Sequence, residues 1–112
     1  MNTEKMKATK ILEELIDYFF RNNVTNMKMT LDFESKEIIV HIKGSCPKKP
    51  DDFDELYDVL NSPRQPEIEE YYFELLGGND RREELGLLGS LVDSAQMSYE
   101  NGLMSVKVTR KL

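Results

Sequence analysis

Between residues 3 and 21 apolar side chains recur at Ile11, Leu12, Leu15, Ile16 and Phe19, the spacing that lays one stripe along an amphipathic helix. Asn22-Asn23 marks its end. The period then changes to two. Met27, Met29, Leu31 and Phe33 alternate with Lys28, Thr30 and Asp32, which predicts a half-buried strand. After the polar turn Glu34 to Glu37, Ile38, Val40 and Ile42 alternate with Ile39, His41 and Lys43 as the second arm of a hairpin ending at Gly44. Pro47 and Pro50 break the pattern. Asp51 or Asp52 can then cap a short helix whose face is Phe53, Leu56, Tyr57 and Leu60. Pro63 and Pro66 enclose a linker, and the helix expected beyond it carries Ile68, Tyr71, Tyr72 and Leu75 up to a stop at Gly77-Gly78. Asp80, three residues before Glu83, opens another helix with Leu85, Leu88, Leu91, Val92 and Ala95 inward and Gly86, Gly89, Ser90 and Asp93 on a small-residue side. Met97 and Tyr99 lead into Asn101-Gly102, the strongest short hairpin signal, and pairing across it sets Tyr99 opposite Met104 and Met97 opposite Val106.

The order α-β-β-α-α-α-β-β, with one apolar face per strand, predicts an α+β fold. It is a two-layer α/β sandwich in which two β-hairpins form a four-stranded sheet with helices on one face. The open face would carry Lys28, Thr30, His41, Lys43, Ser98, Ser105, Lys107 and Thr109. A chain of 112 residues is expected to be a single domain, 1–112, with an acidic helical insertion at about 46–80.

Charge sharpens this division. Residues 51–84 hold twelve acids and three bases, net −9, whereas the rest of the chain is +3 and the whole is −6. That balance argues against general nucleic-acid binding. The apolar stretch after the amino terminus is interrupted by acids, unlike a signal core or a membrane span, and the single Cys46 has no disulfide partner. A cytoplasmic chain with no membrane association is expected.

Candidate chemistry is sparse. The glycines at 77 and 78 precede a helix start, but Asp80, Glu83 and Glu84 would repel a phosphate there, so capping is the favoured reading. His41 has no second ligand at metal spacing and reads as a solvated sheet histidine, and Cys46 reads as a plain loop thiol. Glu13 and Asp17, one turn apart, read as a solvated pair balanced by Lys10 and Arg21. No catalytic residue, metal site or cofactor is assigned. The acidic block does hold Phe53, Tyr57, Tyr71 and Tyr72: either these rings pack on the sheet while the acids solvate the outer side, or part of their apolar surface, rimmed by acids, recruits a basic protein partner.

The segment "EELGLLGSLVDSAQMSYENGLMSVKVTRK" resembles the carboxy-terminal part of histidine-kinase-like ATP-binding domains, the Bergerat or GHKL fold, in which a "GLGL"-type stretch leads into a helix and a hairpin. The front of the chain is similar in order, with the helix "ILEELIDYFFRNN" before the strands "NMKMTLDFES" and "KEIIVHIKG". The family's first helix carries a Glu and, four residues on, a metal-coordinating Asn. Here Glu14 is followed by Tyr18 and Glu13 by Asp17. The family's Asp-x-Gly-x-Gly binds adenine, and alignment on Gly44 puts Ile42 in place of the Asp and Cys46 in place of the second Gly. The resemblance with these departures implies a non-catalytic regulatory or protein-interaction domain that has lost nucleotide binding. One alternative is a functional ATP-binding domain of the anti-sigma kinase type using Asp17, Asn22, Gly44, Gly86 and Gly89. Another is a small structural dimerisation domain seeded by Ile39 and Leu103 on the open face.

Overall fold

The computed structural model describes residues 3–64 and 81–112, the side chains of 81–84 excepted. The first helix, α1 (Thr3–Arg21), buries Ala8, Ile11, Leu15, Tyr18 and Phe19. Its stop is built by Asn23, which takes the left-handed φ of 65° that asparagine tolerates. The amide of Val24 then donates to Phe19 O at 3.0 Å and that of Asn23 to Phe20 O at 3.0 Å, so two terminal carbonyls are satisfied.

Strands β1 (Met27–Phe33), β2 (Glu37–Ser45), β3 (Ser94–Glu100) and β4 (Leu103–Lys111) form one antiparallel sheet in the order β1-β2-β4-β3. Each hairpin pairs internally, and β2 joins them by lying against β4 from Glu37↔Lys111 to Ser45↔Leu103. Tyr99 faces Met104 and Met97 faces Val106 as the alternation predicts. Asn101 and Gly102 adopt φ of 52° and 76°, the two positive values a two-residue hairpin turn requires. Helices α2 (Phe53–Leu60) and α3 (Arg81–Leu91) share one side of the sheet with α1. Between the layers lie Ile38, Val40 and Ile42 of β2 and Met104, Val106 and Val108 of β4, all buried. The fold is thus α+β, a two-layer sandwich with one sheet face open. The helix expected beyond Pro66, with Tyr71, Tyr72, Gly77, Gly78 and Asp80, lies outside the described residues.

Four local expectations are corrected. Strand β1 is not half-buried. Met29, Leu31 and Phe33 do face the helix side, opposite Ile42, Val40 and Ile38, yet they stay 41%, 38% and 40% exposed because α1 packs chiefly over β2 and β1 overhangs it. Asp52 precedes α2 but makes no side-chain cap, since its Oδ1 accepts the Tyr18 hydroxyl at 2.8 Å. Tyr57 lies off the buried stripe of α2, 46% exposed. Ala95 belongs to β3 rather than to the helix before it. The chain is captured by β4 as soon as α3 ends, the Asp93 amide donating to Thr109 O at 2.8 Å and its carboxylate accepting the Lys111 amide at 2.7 Å.

A charge pair joins the layers, with Arg110 buried and Glu4 partly exposed. Arg110 points inward from β4, 4% exposed. Its Nη1 donates to Leu91 O at the end of α3 at 3.0 Å, while Nε and Nη2 donate to the Glu4 carboxylate at 3.0 to 3.1 Å. Three elements therefore meet on a single guanidinium. Removal of Glu4 takes this carboxylate away from a buried cation, a change that costs about 3–5 kcal/mol for fully enclosed pairs. Glu4 is a third exposed, so Glu4→Ala is expected to lower stability by about 2–3 kcal/mol in urea denaturation. The double variant Glu4→Ala/Arg110→Met is expected to recover part of that loss, because an apolar chain of similar length needs no counter-charge.

Candidate functional site

The residues that the resemblance assigns to nucleotide chemistry lie at two separate places. At the first, the end of α1 meets the end of β2. Asp17 is engaged by Arg21 at 3.2 Å, and the Asn22 side-chain Nδ2 donates to Tyr18 O at 2.9 Å. The thiol of Cys46, buried rather than a plain loop thiol, donates to Lys48 O at 3.1 Å and is 3.5 Å from Asn22 O. Gly44 is close beside them. A side-chain carbon added there would lie 2.6 Å from both Asn26 O and Val24 Cγ1, so glycine is required by the close approach of this chain to itself. Ile42, aligned with the adenine-binding Asp, is fully buried in the core.

At the second place, α3 crosses α2. A carbon added at Gly89 would overlap Val59 Cγ1 and lie 3.0 Å from Val59 O. Gly89 and Ser90 are buried, and the Ser90 hydroxyl donates to Leu87 O at 2.7 Å. The small-residue side of α3 thus meets α2 at Gly89, while Gly86 and Asp93 are partly exposed. Among the described residues no group of three or more His, Cys, Asp or Glu side chains is placed to hold a metal ion.

A cleft of about 130 Å³ opens beside the first place, lined by Arg21, Asn22, Asn23 and the Pro47–Asp51 loop. Its lysines are already turned to nearby acids, Lys48 to Asp51 at 3.5 Å and Lys49 to Asp54 at 3.7 Å. Lys49 Nζ also stands 5.1 Å from the Phe53 ring centroid, a cation–π distance.

Two further surfaces hold candidate residues. On the open sheet face Lys28 stands directly opposite Lys43, and His41 opposite Lys107. His41 Nε2 and Ser105 Oγ are 2.8 Å apart. Burial, then Lys43, then Lys107 hold the His41 imidazole below its usual value of 6.5. Here also Ile39 is half-buried and Leu103 exposed, and a shallow depression of about 280 Å³ runs between Lys28, Lys43 and Leu103. On α2, Phe53 joins Leu56 and Leu60 in the core, so only Tyr57 of the two described aromatics is available to a partner. Asp54, Glu55 and Asp58 are exposed on the same helix, with Tyr57 at the edge of their face. Tyr71 and Tyr72 lie outside the described residues.

Asn61 has a role that the spacing of residues did not reveal. Its Nδ2 donates to Ala95 O at 3.2 Å and to Tyr57 O at 2.9 Å, while its Oδ1 accepts the Ala95 amide at 2.9 Å. One side-chain amide thus closes the end of α2 and pairs with the outer edge of β3. An asparagine just past a helix hints at a cap, but its partner is 34 residues away.

Comparison with protein-family models, curated proteins and solved structures finds no match to this chain. No helix among the described residues is long and apolar enough to cross a membrane.

Two outcomes test this geometry. Gly89→Ala is expected to destabilise by about 1–3 kcal/mol, against the gain of roughly 1 kcal/mol that alanine brings to an unconstrained helix. Val59→Ala in the same chain should relieve part of the overlap, and denaturation midpoints of the parent and the two variants measure both effects. For His41, the unfolded chain takes a proton near pH 6.5 before the folded one does. The contribution of this group is thus fully present above 6.5 and is lost as pH falls through the lower folded value. His41→Asn should give a shallower decline of stability than the parent between about pH 7 and 5, read from urea midpoints.

Proposed function

We propose that this chain is a non-catalytic regulatory or protein-interaction domain of histidine-kinase-like arrangement, acting through the acidic outer face of α2 on a basic protein partner. The observation that carries this reading is the occupancy of two of the three candidate nucleotide glycines, Gly86 being partly exposed. Gly89 gives its space to Val59, and Gly44 gives its space to Val24 and Asn26. A bound polyphosphate needs free backbone amides and room beside them, and both glycines lack that room. The aspartate that would read adenine is replaced by the buried Ile42.

The choice of α2 follows from its two sides. Phe53, Leu56 and Leu60 anchor it to the core, and Tyr57 remains exposed at the edge of the face that carries Asp54, Asp58 and Glu55. An aromatic ring supplies contact area at low entropic cost, and a rim of one sign steers an oppositely charged partner. The buried Cys46, with no disulfide partner in the chain, suits the reducing cytoplasm.

Amide-resolved titration with ATP and magnesium tests the absence of a nucleotide site. No saturable shift is expected at Asp17, Gly44, Gly86 or Gly89, and micromolar saturation centred on them would overturn the reading. The α2 surface is tested by quantitative affinity capture from the native extract with the parent and with Tyr57→Ala/Asp58→Lys. The specific partner should be lost at least tenfold with the variant and should weaken with salt. Equal, salt-independent recovery with both chains would remove α2 from the interface.

A further inference from the structure

The two edges of the sheet are unlike. The outer edge of β3 is met at Ala95 by the Asn61 amide, which satisfies one outward N–H and one outward C=O. Among the described residues nothing pairs with the outer edge of β1, whose register against β2 runs from Met27 to Phe33 without a bulge or proline. An edge of that kind is a template for another strand.

The hydrogen-bond phase of β1 can be read from its turn. The Glu34 amide donates to Glu37 O at 2.9 Å, so Glu34 and Glu37 are a hydrogen-bonded pair. Counting back by twos along the register, Asp32, Thr30 and Lys28 also bond to β2. The N–H and C=O groups of Phe33, Leu31, Met29 and Met27 therefore point to the open edge. Of these, Phe33, Leu31 and Met29 carry exposed apolar side chains.

From this edge we infer that two copies of the chain pair through antiparallel β1 strands about a two-fold axis at Thr30, forming one continuous eight-stranded sheet. The charges on β1 select the arrangement. With the axis at Thr30, Lys28 of each copy lies opposite Asp32 of the other, and Met29 lies opposite Leu31. Centring on Met29 or Leu31 would instead leave Asp32 opposite Asn26 or Thr30, without a cation. Any register shifted by one residue would set apolar side chains opposite polar ones. Within one copy Lys28 faces Lys43, a like-charge pair that an acid on the far side offsets.

The helix layer accommodates the pairing. Tyr18 turns one flank of α1 toward Asp52 beside α2, which lies over β3, and Leu12, Ile16 and Phe20 run at i, i+4 and i+8 along the opposite flank. That flank is on the β1 side of the sheet. With α1 over β2, three strand spacings of about 4.8 Å would set the two α1 helices roughly 14 Å apart. Directly packed helices stand about 8–10 Å apart, so the gap has width for Phe20, Met29, Leu31 and Phe33 of both copies. These four are the exposed apolar residues nearest the edge.

Sedimentation equilibrium across a concentration series tests the inference on the whole chain. A reversible dimer is expected, with Lys28→Asp raising its dissociation constant about tenfold or more and Lys28→Asp/Asp32→Lys restoring it. Simple loss of folding would not be repaired by the second change, and circular dichroism of both variants checks that each is folded. Thr30→Cys fixes the register, because a non-hydrogen-bonded pair on the axis places the two Cα atoms about 4.5 Å apart, within disulfide reach. Mild oxidation should link this variant into dimers, whereas Lys28→Cys should link poorly. A monomer at every concentration, or a dimer indifferent to Lys28→Asp and unlinked through Thr30→Cys, would overturn the proposal.

Discussion

The pairing of β2 with β4 is the constraint on which the molecule depends. Each hairpin can form locally, but neither has enough apolar surface to stand alone. Laying Glu37–Ser45 against Leu103–Lys111 joins Ile38, Val40 and Ile42 to Val108, Val106 and Met104 in one apolar strip. Only then is there a floor for α1, α2 and α3. Because these partners are distant in sequence, the closure entropy must be met before the contacts return it, and the pairing is expected to limit the rate of folding.

The register of that strip also decides where charge can go. The alternation that sends Val106 and Val108 inward sends Arg110 inward as well, at the end of the strip, where the apolar layer gives out. There the guanidinium finds Glu4 and the last carbonyl of α3. A cation near a helix carboxy terminus is also favoured by the helix dipole. What interrupts the apolar pattern of β4 thus binds the two ends of the chain, since Glu4 and Arg110 are separated by 106 residues.

Much of the architecture was legible because it is periodic. The hairpins, their register at Asn101-Gly102 and the inward faces of β2 and β4 follow from alternation alone, and the helix stop at Asn23 follows from local chemistry. What was not legible depends on relative position in space. The pattern of β1 is as regular as that of β2, yet β1 overhangs the helix layer, and no periodicity reports how far a layer extends. Asp52 had the right residue type for a cap, but a tyrosine 34 positions earlier claims its carboxylate. Gly89 could be read as part of a phosphate site or as room for packing; in the fold Val59 packs against it, and nothing in the sequence had singled Val59 out.

Asn61 makes the α2 surface and the sheet mechanically one piece. The same amide that ends α2 holds the N–H and C=O of Ala95, so a tilt of α2 cannot occur without loosening that edge of β3. The Ala95 amide proton becomes a gauge of what happens at Tyr57. Its exchange with solvent deuterium slows when an occupant of α2 steadies the helix and quickens when one levers it away.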